Sequence, residues 1–344
     1  MPREQSQHSE QGVPHIALFD AKPYDRYYFD QENARYGFNI TYLEAKLNRE
    51  SAIITHGFDA VCVFVNDLID AETARQLKDN GISLVALRCS GYNNVDLKAT
   101  GSDTPVVRVP AYSPYAVAEH TVGLMLTLNR KIHRAYYRTR DNNFSLNGLI
   151  GFDMHDKTAG IIGTGKIGRL VAQTLRGFGM HVLAYDVMPN EEWAAEHSVR
   201  YVSLTDLYRE SDVISLHCPL TPENLYMINK GTIAIMKDTA MIVNTGRGKL
   251  INTSDLLEAL KAQKLGSAAL DVYEEETDYF FEDFSSMFVA DDVLARLLTF
   301  PNVLVTSHQA FFTHEALTNI AATTLENIRL FFSENETPNL VQPG

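Results

Sequence analysis

The run Thr158-Ala-Gly-Ile-Ile162, followed at once by Gly163-Thr-Gly-Lys-Ile-Gly168, constrains the fold more than any other part of this sequence. A short apolar run stopped by glycine reads as a buried strand. The residues after it, Ile167–Phe178, read as a helix that closes at Gly179. A second strand, His181–Tyr185, then ends on Asp186. Strand, glycine loop, helix, strand and terminal acid together predict a dinucleotide-binding unit. Gly163 permits the tight turn, Gly165 lets the backbone approach a pyrophosphate, and Gly168 lets helix and strand pack closely. The helix N-terminus offers N–H groups and a partial positive charge to the phosphates. Asp186 is suited to accept from the adenosine ribose and to repel a 2′-phosphate, and Val187-Met188-Pro189 brings no cation to that place. The pattern therefore favours NAD over NADP.

Strand and helix alternate along the rest of the chain, which predicts an α/β class with parallel sheets. At 344 residues the chain is long enough for two domains. Strands read at His15–Asp20, Phe38–Leu43, Ala60–Val65, Ile82–Leu87 and Val106–Val109, with a helix over Asp70–Asn80 that stops at Gly81. This block predicts a small flavodoxin-like sheet. Ser113-Pro114 is a good helix start, with serine as cap and proline in the first turn. The apolar positions Val117, Val122, Leu124, Met125 and Leu128 predict one long helix running to about Arg138. Further strands read at Val213–His217, Met241–Asn244, Ala268–Val272 and Val303–Thr306, with helices at Ser254–Gln263 and about Glu315–Phe332. The last helix is expected to pack back on the first block.

Hydrophobic residues make up 45% and charged residues 21%, an ordinary globular balance. A formal net charge of −13 argues against nucleic acid and anionic membrane as partners. Cys62, Cys89 and Cys218 are few, odd in number and mostly set in apolar runs, so they read as reduced core thiols. With no apolar span of membrane length and no N-terminal basic-then-apolar signal, the expectation is a cytoplasmic protein. Residues 1–13 are polar and read as a loose tail.

Three polar residues stand just past predicted strands of the second half. Arg247 lies within Asn244-Thr-Gly-Arg-Gly248, Glu276 within Asp271-Val-Tyr-Glu-Glu-Glu276, and His308 within Thr306-Ser-His-Gln309. In open α/β sheets, ligands bind beyond the carboxyl ends of strands. These three match the needs of a 2-keto acid accepting hydride. Arginine clamps a carboxylate with a planar, permanently charged pair of donors. Histidine donates a proton near neutral pH, and a carboxylate on its other ring nitrogen fixes the tautomer and raises the pKa. Arg247 and His308 already polarise the carbonyl, so no metal is required. Taken from position alone, Arg247 also fits a helix-end contact, the Glu274–Glu276 run a solvated loop, and His308 a strand-end residue.

Several segments together resemble the D-isomer-specific 2-hydroxyacid dehydrogenase family, along nearly the whole chain from about His15. They are Arg88-Cys-Ser-Gly-Tyr-Asn-Asn-Val-Asp96, Val109-Pro-Ala-Tyr-Ser-Pro114 with Ala118-Glu-His120, Gly163–Gly168, Ser215-Leu-His-Cys-Pro-Leu-Thr-Pro-Glu-Asn224, Asn244–Gly248, Leu270-Asp-Val-Tyr-Glu274 and His308-Gln-Ala-Phe311. The nearest likeness within the family is to its bacterial fermentative members that act on D-lactate. The resemblance implies two doubly wound parallel-sheet domains. A Rossmann cofactor domain, 113–311, is inserted in a flavodoxin-like catalytic domain, 14–112 plus 312–344. It implies NAD as cofactor and reversible hydride transfer between pyruvate and D-lactate. Hydroxypyruvate or glyoxylate as substrate, or an NAD-sensing binding protein, are the alternatives. It implies Arg247 as carboxylate clamp, His308 as proton donor and Glu276 as its partner. Ser90, Gly91, Tyr112 and Phe311 carry over as substrate contacts. Lys166, Ile167, Asp186, Cys218, Pro219, Asn224, Thr245, Gly246, Arg247 and Asp271 carry over as cofactor contacts. The D stereochemistry comes from the resemblance alone. Two positions depart from the family pattern: Gly246, where serine or alanine is usual, and Ser307, where proline or glycine is common. The helix after Ser113 also suggests a homo-oligomer, dimer or tetramer.

Overall fold

The computed structural model describes residues 12–275 and 279–342. Within them, apolar runs flanked by glycine and polar turns pair into two wholly parallel sheets. The first holds β1 (His15–Leu18), β2 (Asn39–Tyr42), β3 (Ala60–Val63), β4 (Leu84–Leu87) and β5 (Val106–Val107). Its order is β2-β1-β3-β4-β5. The second holds β6 (Thr158–Ile162), β7 (His181–Tyr185), β8 (Val199–Tyr201), β9 (Val213–Leu216), β10 (Met241–Asn244), β11 (Ser267–Leu270) and β12 (Val303–Val305). Its order is β12-β11-β10-β9-β6-β7-β8, so the winding reverses between β6 and β9. The edge strand β8 has no distinct sequence signal, because its three residues, Val-Arg-Tyr, are too few to display a period.

The chain divides into two compact units. The first takes the chain up to Ser113 and again from Phe312; the second is the insert Pro114–Phe311. The first unit's core joins Ile16, Leu18, Cys62, Leu84 and Val107 to Ala321, Leu325 and Ile328 of the helix His314–Glu334. That helix starts at Thr313, whose hydroxyl accepts from the Ala316 N–H. The second unit buries both faces of its sheet. Helices Pro114–Arg130 and Lys166–Gly177 cover one face with Val122, Met125, Val171 and Leu175. Leu256, Leu260, Leu294 and Leu297 cover the other. Covered on both faces, the strands show no alternation of apolar and polar residues. Cys62 and Cys89 are buried and Cys218 is partly so, and burial pushes the Cys62 thiol up to about 12 and the Cys218 thiol up to about 11.

The helix expected to run on from Ser113 to Arg138 is two helices. Pro114–Arg130 ends before Lys131, whose φ of 52° is left-handed, and Ile132–Arg140 starts afresh. The apolar periodicity that predicts one helix crosses the break unaffected. The break follows from a long-range contact. Asn129 donates to the Phe152 carbonyl (2.8 Å) and accepts from its N–H (2.9 Å), tying the helix end to the returning chain. Asn129→Ala leaves those two backbone groups without their partner. It is expected to lower unfolding free energy by about 1–3 kcal/mol in thermal or urea melts, and an unchanged midpoint would contradict this anchor.

Candidate active site

The carboxyl edge of the second sheet collects the loops after β6, β7, β9, β10, β11 and β12. The loop after β6 fits a dinucleotide. Gly163 has a φ of 93°, and a Cβ there would stand 2.6 Å from the Cys218 nitrogen. A Cβ on Gly168 would stand 1.9 Å from the Gly163 carbonyl oxygen, so only glycine allows the helix to start this close to the strand. Nothing lies within 4 Å of the place a Gly165 Cβ would take, which leaves that backbone open to a ligand. Lys166 and Ile167 are the first residues of the helix, where N–H groups lack intrahelical acceptors. Asp186 follows β7 and accepts from the Thr164 N–H (2.6 Å), the Thr164 hydroxyl (3.0 Å) and the Met188 N–H (2.9 Å). Burial works against its charge, but these bonds and the Arg169 charge hold the carboxyl below the usual range. Asp186 therefore stays a carboxylate at the lip of the glycine loop, as recognition of a ribose requires.

Cys218 and Pro219 follow β9. Asn224 closes their loop, donating to the Pro219 carbonyl (2.7 Å) and accepting from the Thr221 N–H (2.8 Å). His217 lies beneath the glycine loop with its Nε2 2.8 Å from the Ser215 hydroxyl. Burial pushes this ring down to about 4, so it is neutral at pH 7.

The loop after β10 carries Thr245, Gly246 and Arg247. Asn244 braces it from within, accepting from the Gly246 N–H (3.0 Å) and donating to the Arg247 carbonyl (2.9 Å). Gly248 is obligatory, since a Cβ would meet the Tyr273 carbonyl oxygen at 2.0 Å. This close approach ties the arginine loop to the segment after β11. Gly246 is a different case. A Cβ there would find its nearest neighbour, the Leu216 carbonyl oxygen, at 3.4 Å, so the serine or alanine usual in the family would fit.

Asp271 follows β11, and His308 follows β12 with a left-handed φ of 51°. The Asp271 carbonyl accepts from the His308 N–H at 2.7 Å. Its carboxylate accepts from the Thr306 hydroxyl (2.5 Å) and the Gln309 (3.0 Å) and Ala310 (2.9 Å) N–H groups. The Phe281 ring lies 5.8 Å from the His308 ring, centroid to centroid. Glu274 is occupied elsewhere, accepting from the Tyr226 hydroxyl and from the Thr253 hydroxyl (2.7 Å). Glu276, the expected partner of His308, lies outside the described residues. Phe311 is buried.

In the first unit, Ser90 and Gly91 follow β4. The Ser90 carbonyl accepts from Arg108 (2.9 Å) and the Gly91 carbonyl from the Cys89 thiol (3.3 Å). Arg88, at the root of this loop, is buried and donates to the Asp20 carbonyl (2.9 Å) and the Asp25 carboxylate (3.3 Å). Burial opposes its charge, yet Asp25 and its other anionic neighbours hold its pKa above the ordinary arginine value. The Tyr112 carbonyl accepts from Asn319 (2.8 Å). Sequence reasoning did not single out Arg88 as a brace, because its partners lie some 60 or more positions earlier.

Comparison with known proteins agrees with this geometry. Residues 122–310 match the family model described as D-isomer specific 2-hydroxyacid dehydrogenase, NAD binding domain. The D-lactate dehydrogenase of Escherichia coli K12 is 52% identical over 325 residues, 94% of this chain and 98% of that protein. The apo-structure of the Escherichia coli D-lactate dehydrogenase superposes with a TM-score of 0.87 at 49% identity, covering 95% of this chain and 100% of that one. The D-lactate dehydrogenase with NAD+ from Lactobacillus jensenii gives 0.79 at 31% identity, covering 96% and 100%.

Two glycine substitutions separate an obligatory position from a permissive one. Gly168→Ala is expected to weaken NADH binding by about tenfold or more, read by quenching of NADH fluorescence, because the helix start must move. Gly246→Ala is expected to keep NADH affinity and gain about 0.4–1 kcal/mol in a urea melt, by restricting the unfolded chain. The reverse ranking would contradict the packing described.

Proposed function

We infer that this chain, which belongs to the D-isomer-specific 2-hydroxyacid dehydrogenases, reduces pyruvate to D-lactate with NADH and runs the reaction in reverse. The observation that carries the reading is the placement of Arg247 and His308 at the carboxyl edge of the sheet whose β6 loop is shaped for a dinucleotide.

NADH, when bound, supplies the hydride. The chain's own residues do the rest. Gly163, Gly165, Lys166, Ile167 and Gly168 would hold the pyrophosphate and Asp186 the ribose. The other cofactor contacts are assigned to Cys218, Pro219, Asn224, Thr245, Gly246 and Arg247; Asp271, expected among them, has no exposed surface and would act from behind by fastening the 306–310 segment. Arg247 would grip the substrate carboxylate with paired N–H donors and set the keto carbon in one orientation. His308, protonated, would donate its proton to the keto oxygen as hydride arrives at carbon, and it would take the proton back in the oxidation. Glu276 would fix its tautomer and the orientation of its ring. Ser90, Gly91, Tyr112 and Phe311 are assigned to the substrate on family likeness.

The test is loss of NADH absorbance with pyruvate, glyoxylate and hydroxypyruvate in parallel. Pyruvate is expected to turn over fastest, to the D isomer. Faster turnover of another keto acid would move the substrate assignment, and turnover of none would favour an NAD-sensing binding protein. Arg247→Lys loses the paired donors and is expected to raise KM for the keto acid by about tenfold to a hundredfold. An unchanged KM would remove the clamp role. Glu276→Gln removes the carboxylate that would orient the His308 ring, and kcat/KM for reduction is expected to fall about tenfold or more; an unchanged kcat/KM would break the pairing.

We also propose a cytoplasmic homo-oligomer. Reduced thiols support the location. No helix of the described residues is long and apolar enough to cross a membrane. The helix Ile132–Arg140 and the chain after it expose Ile132, Tyr136, Tyr137, Phe144, Leu146 and Ile150, with Leu146 and Ile150 81% and 86% open. A second copy of this chain would cover that apolar face. Leu146→Asp with Ile150→Asp is expected to shift the mass seen by light scattering toward the monomer, and a wild-type monomer would refute the assignment.

A further inference from the structure

The motif Ala118-Glu-His120 has no part in the mechanism above, yet the structure puts its histidine to use. His120 lies within the helix Pro114–Arg130, and its Nε2 is 3.3 Å from the Asp271 carboxylate and 3.3 Å from the Thr306 hydroxyl. Asp271 has no exposed surface. Burial opposes its ionisation, but bonds from His120, Thr306 and the Ala310 N–H hold its carboxyl below the usual range. The same aspartate fastens the 306–310 segment and the backbone of the left-handed His308. His120 thus buttresses the residue on which His308's placement depends.

The next residue of the helix does the same for the arginine loop. The Thr121 hydroxyl donates its single proton to the Val117 carbonyl (2.7 Å), so in its 2.8 Å bond with Thr245 it must accept. Both threonines are buried. Thr245 stands two positions before Arg247, on the loop that Asn244 braces from within. Neighbouring helical residues point about 100° apart, so one rigid helix can serve two loops at once.

We propose that His120 and Thr121 are positioning residues for the reaction assigned above. His120 sets His308 through Asp271 and Thr306, and Thr121 sets Arg247 through Thr245. The inference rests on that functional reading. It separates the two neighbours by their kinetic effect. His308 acts on the chemical step, so loss of its buttress lowers kcat. Arg247 holds the substrate, so loss of its buttress raises KM.

The experiment compares His120→Leu and Thr121→Val with the conservative variants His120→Gln, which keeps a side-chain N–H donor, and Thr121→Ser, which keeps the hydroxyl. All four are assayed at a temperature where their circular dichroism matches the wild type. His120→Leu is expected to lower kcat about tenfold or more with keto-acid KM within about twofold. Thr121→Val is expected to raise KM about fivefold or more with kcat nearly kept. Each conservative variant should recover most of its loss. Equal effects on kcat and KM in both, or loss of stability with normal kinetics, would overturn the proposal. A second measurement stands apart from catalysis: spectra of isotope-labelled histidine, with the His308 signal assigned by its absence in His308→Gln. That signal should shift in His120→Leu and stay in place in Thr121→Val. A wild type that reduces no keto acid would sink the functional reading, while an unmoved His308 signal in His120→Leu would sink the positioning inference.

Discussion

Asp271 has no exposed surface, and its carboxylate takes the Thr306 hydroxyl and the Gln309 and Ala310 N–H groups while its carbonyl takes the His308 N–H. A buried carboxylate is tolerable only with such a set of donors. Here the donors come from the loop after the neighbouring strand and from a helix on the sheet's face. Satisfying one charge therefore fixes three pieces of chain against one another. It also holds His308 in a backbone region that a non-glycine residue adopts at a penalty of about 1–2 kcal/mol. The sheet provides the platform, since parallel winding delivers β6, β7, β9, β10, β11 and β12 to one edge with their loops together.

The parts of this arrangement that repeat locally were legible in the sequence. Gly168 is forced by the Gly163 carbonyl within its own strand–loop–helix unit, Gly163 is set by the left-handed turn of that unit although a Cβ there would also meet the distant Cys218 nitrogen, and Asp186 lies at the end of the next strand. The two sheets follow from the alternation of elements, and each strand except the three-residue edge strand β8 is recognised to within a few residues of its ends. Where the reading failed, the deciding contact was distant. The helix after Pro114 stops because Asn129 grips Phe152, a partner 23 positions on that no local period announces. His120 meets Thr306 across 186 positions, and nothing near either residue indicates the pairing. Glycine spacing was likewise silent on the difference between Gly246 and Gly248. One faces room for a methyl group and the other a carbonyl oxygen of a later segment.

The family comparison and the geometry answer different questions. Likeness at 52% identity to the Escherichia coli D-lactate dehydrogenase speaks to the reaction class. Contacts such as Thr121 with Thr245 speak to how the loops that would perform it are held in place. An engineer changing the substrate would alter what faces the ligand and leave this bracing untouched.

The insertion of the second unit has a consequence for how the chain is made. Residues 114–311 are contiguous, so their sheet can close as soon as β12 leaves the ribosome. The first unit begins earlier and finishes later. Ala321, Leu325 and Ile328 complete its core, and Leu340 bridges to Val107 at its edge strand. During synthesis the older half of the protein waits, with apolar surface uncovered, for its last helix. A chain truncated after Phe311 would hold a complete second sheet and a first one still open to chaperones and to aggregation.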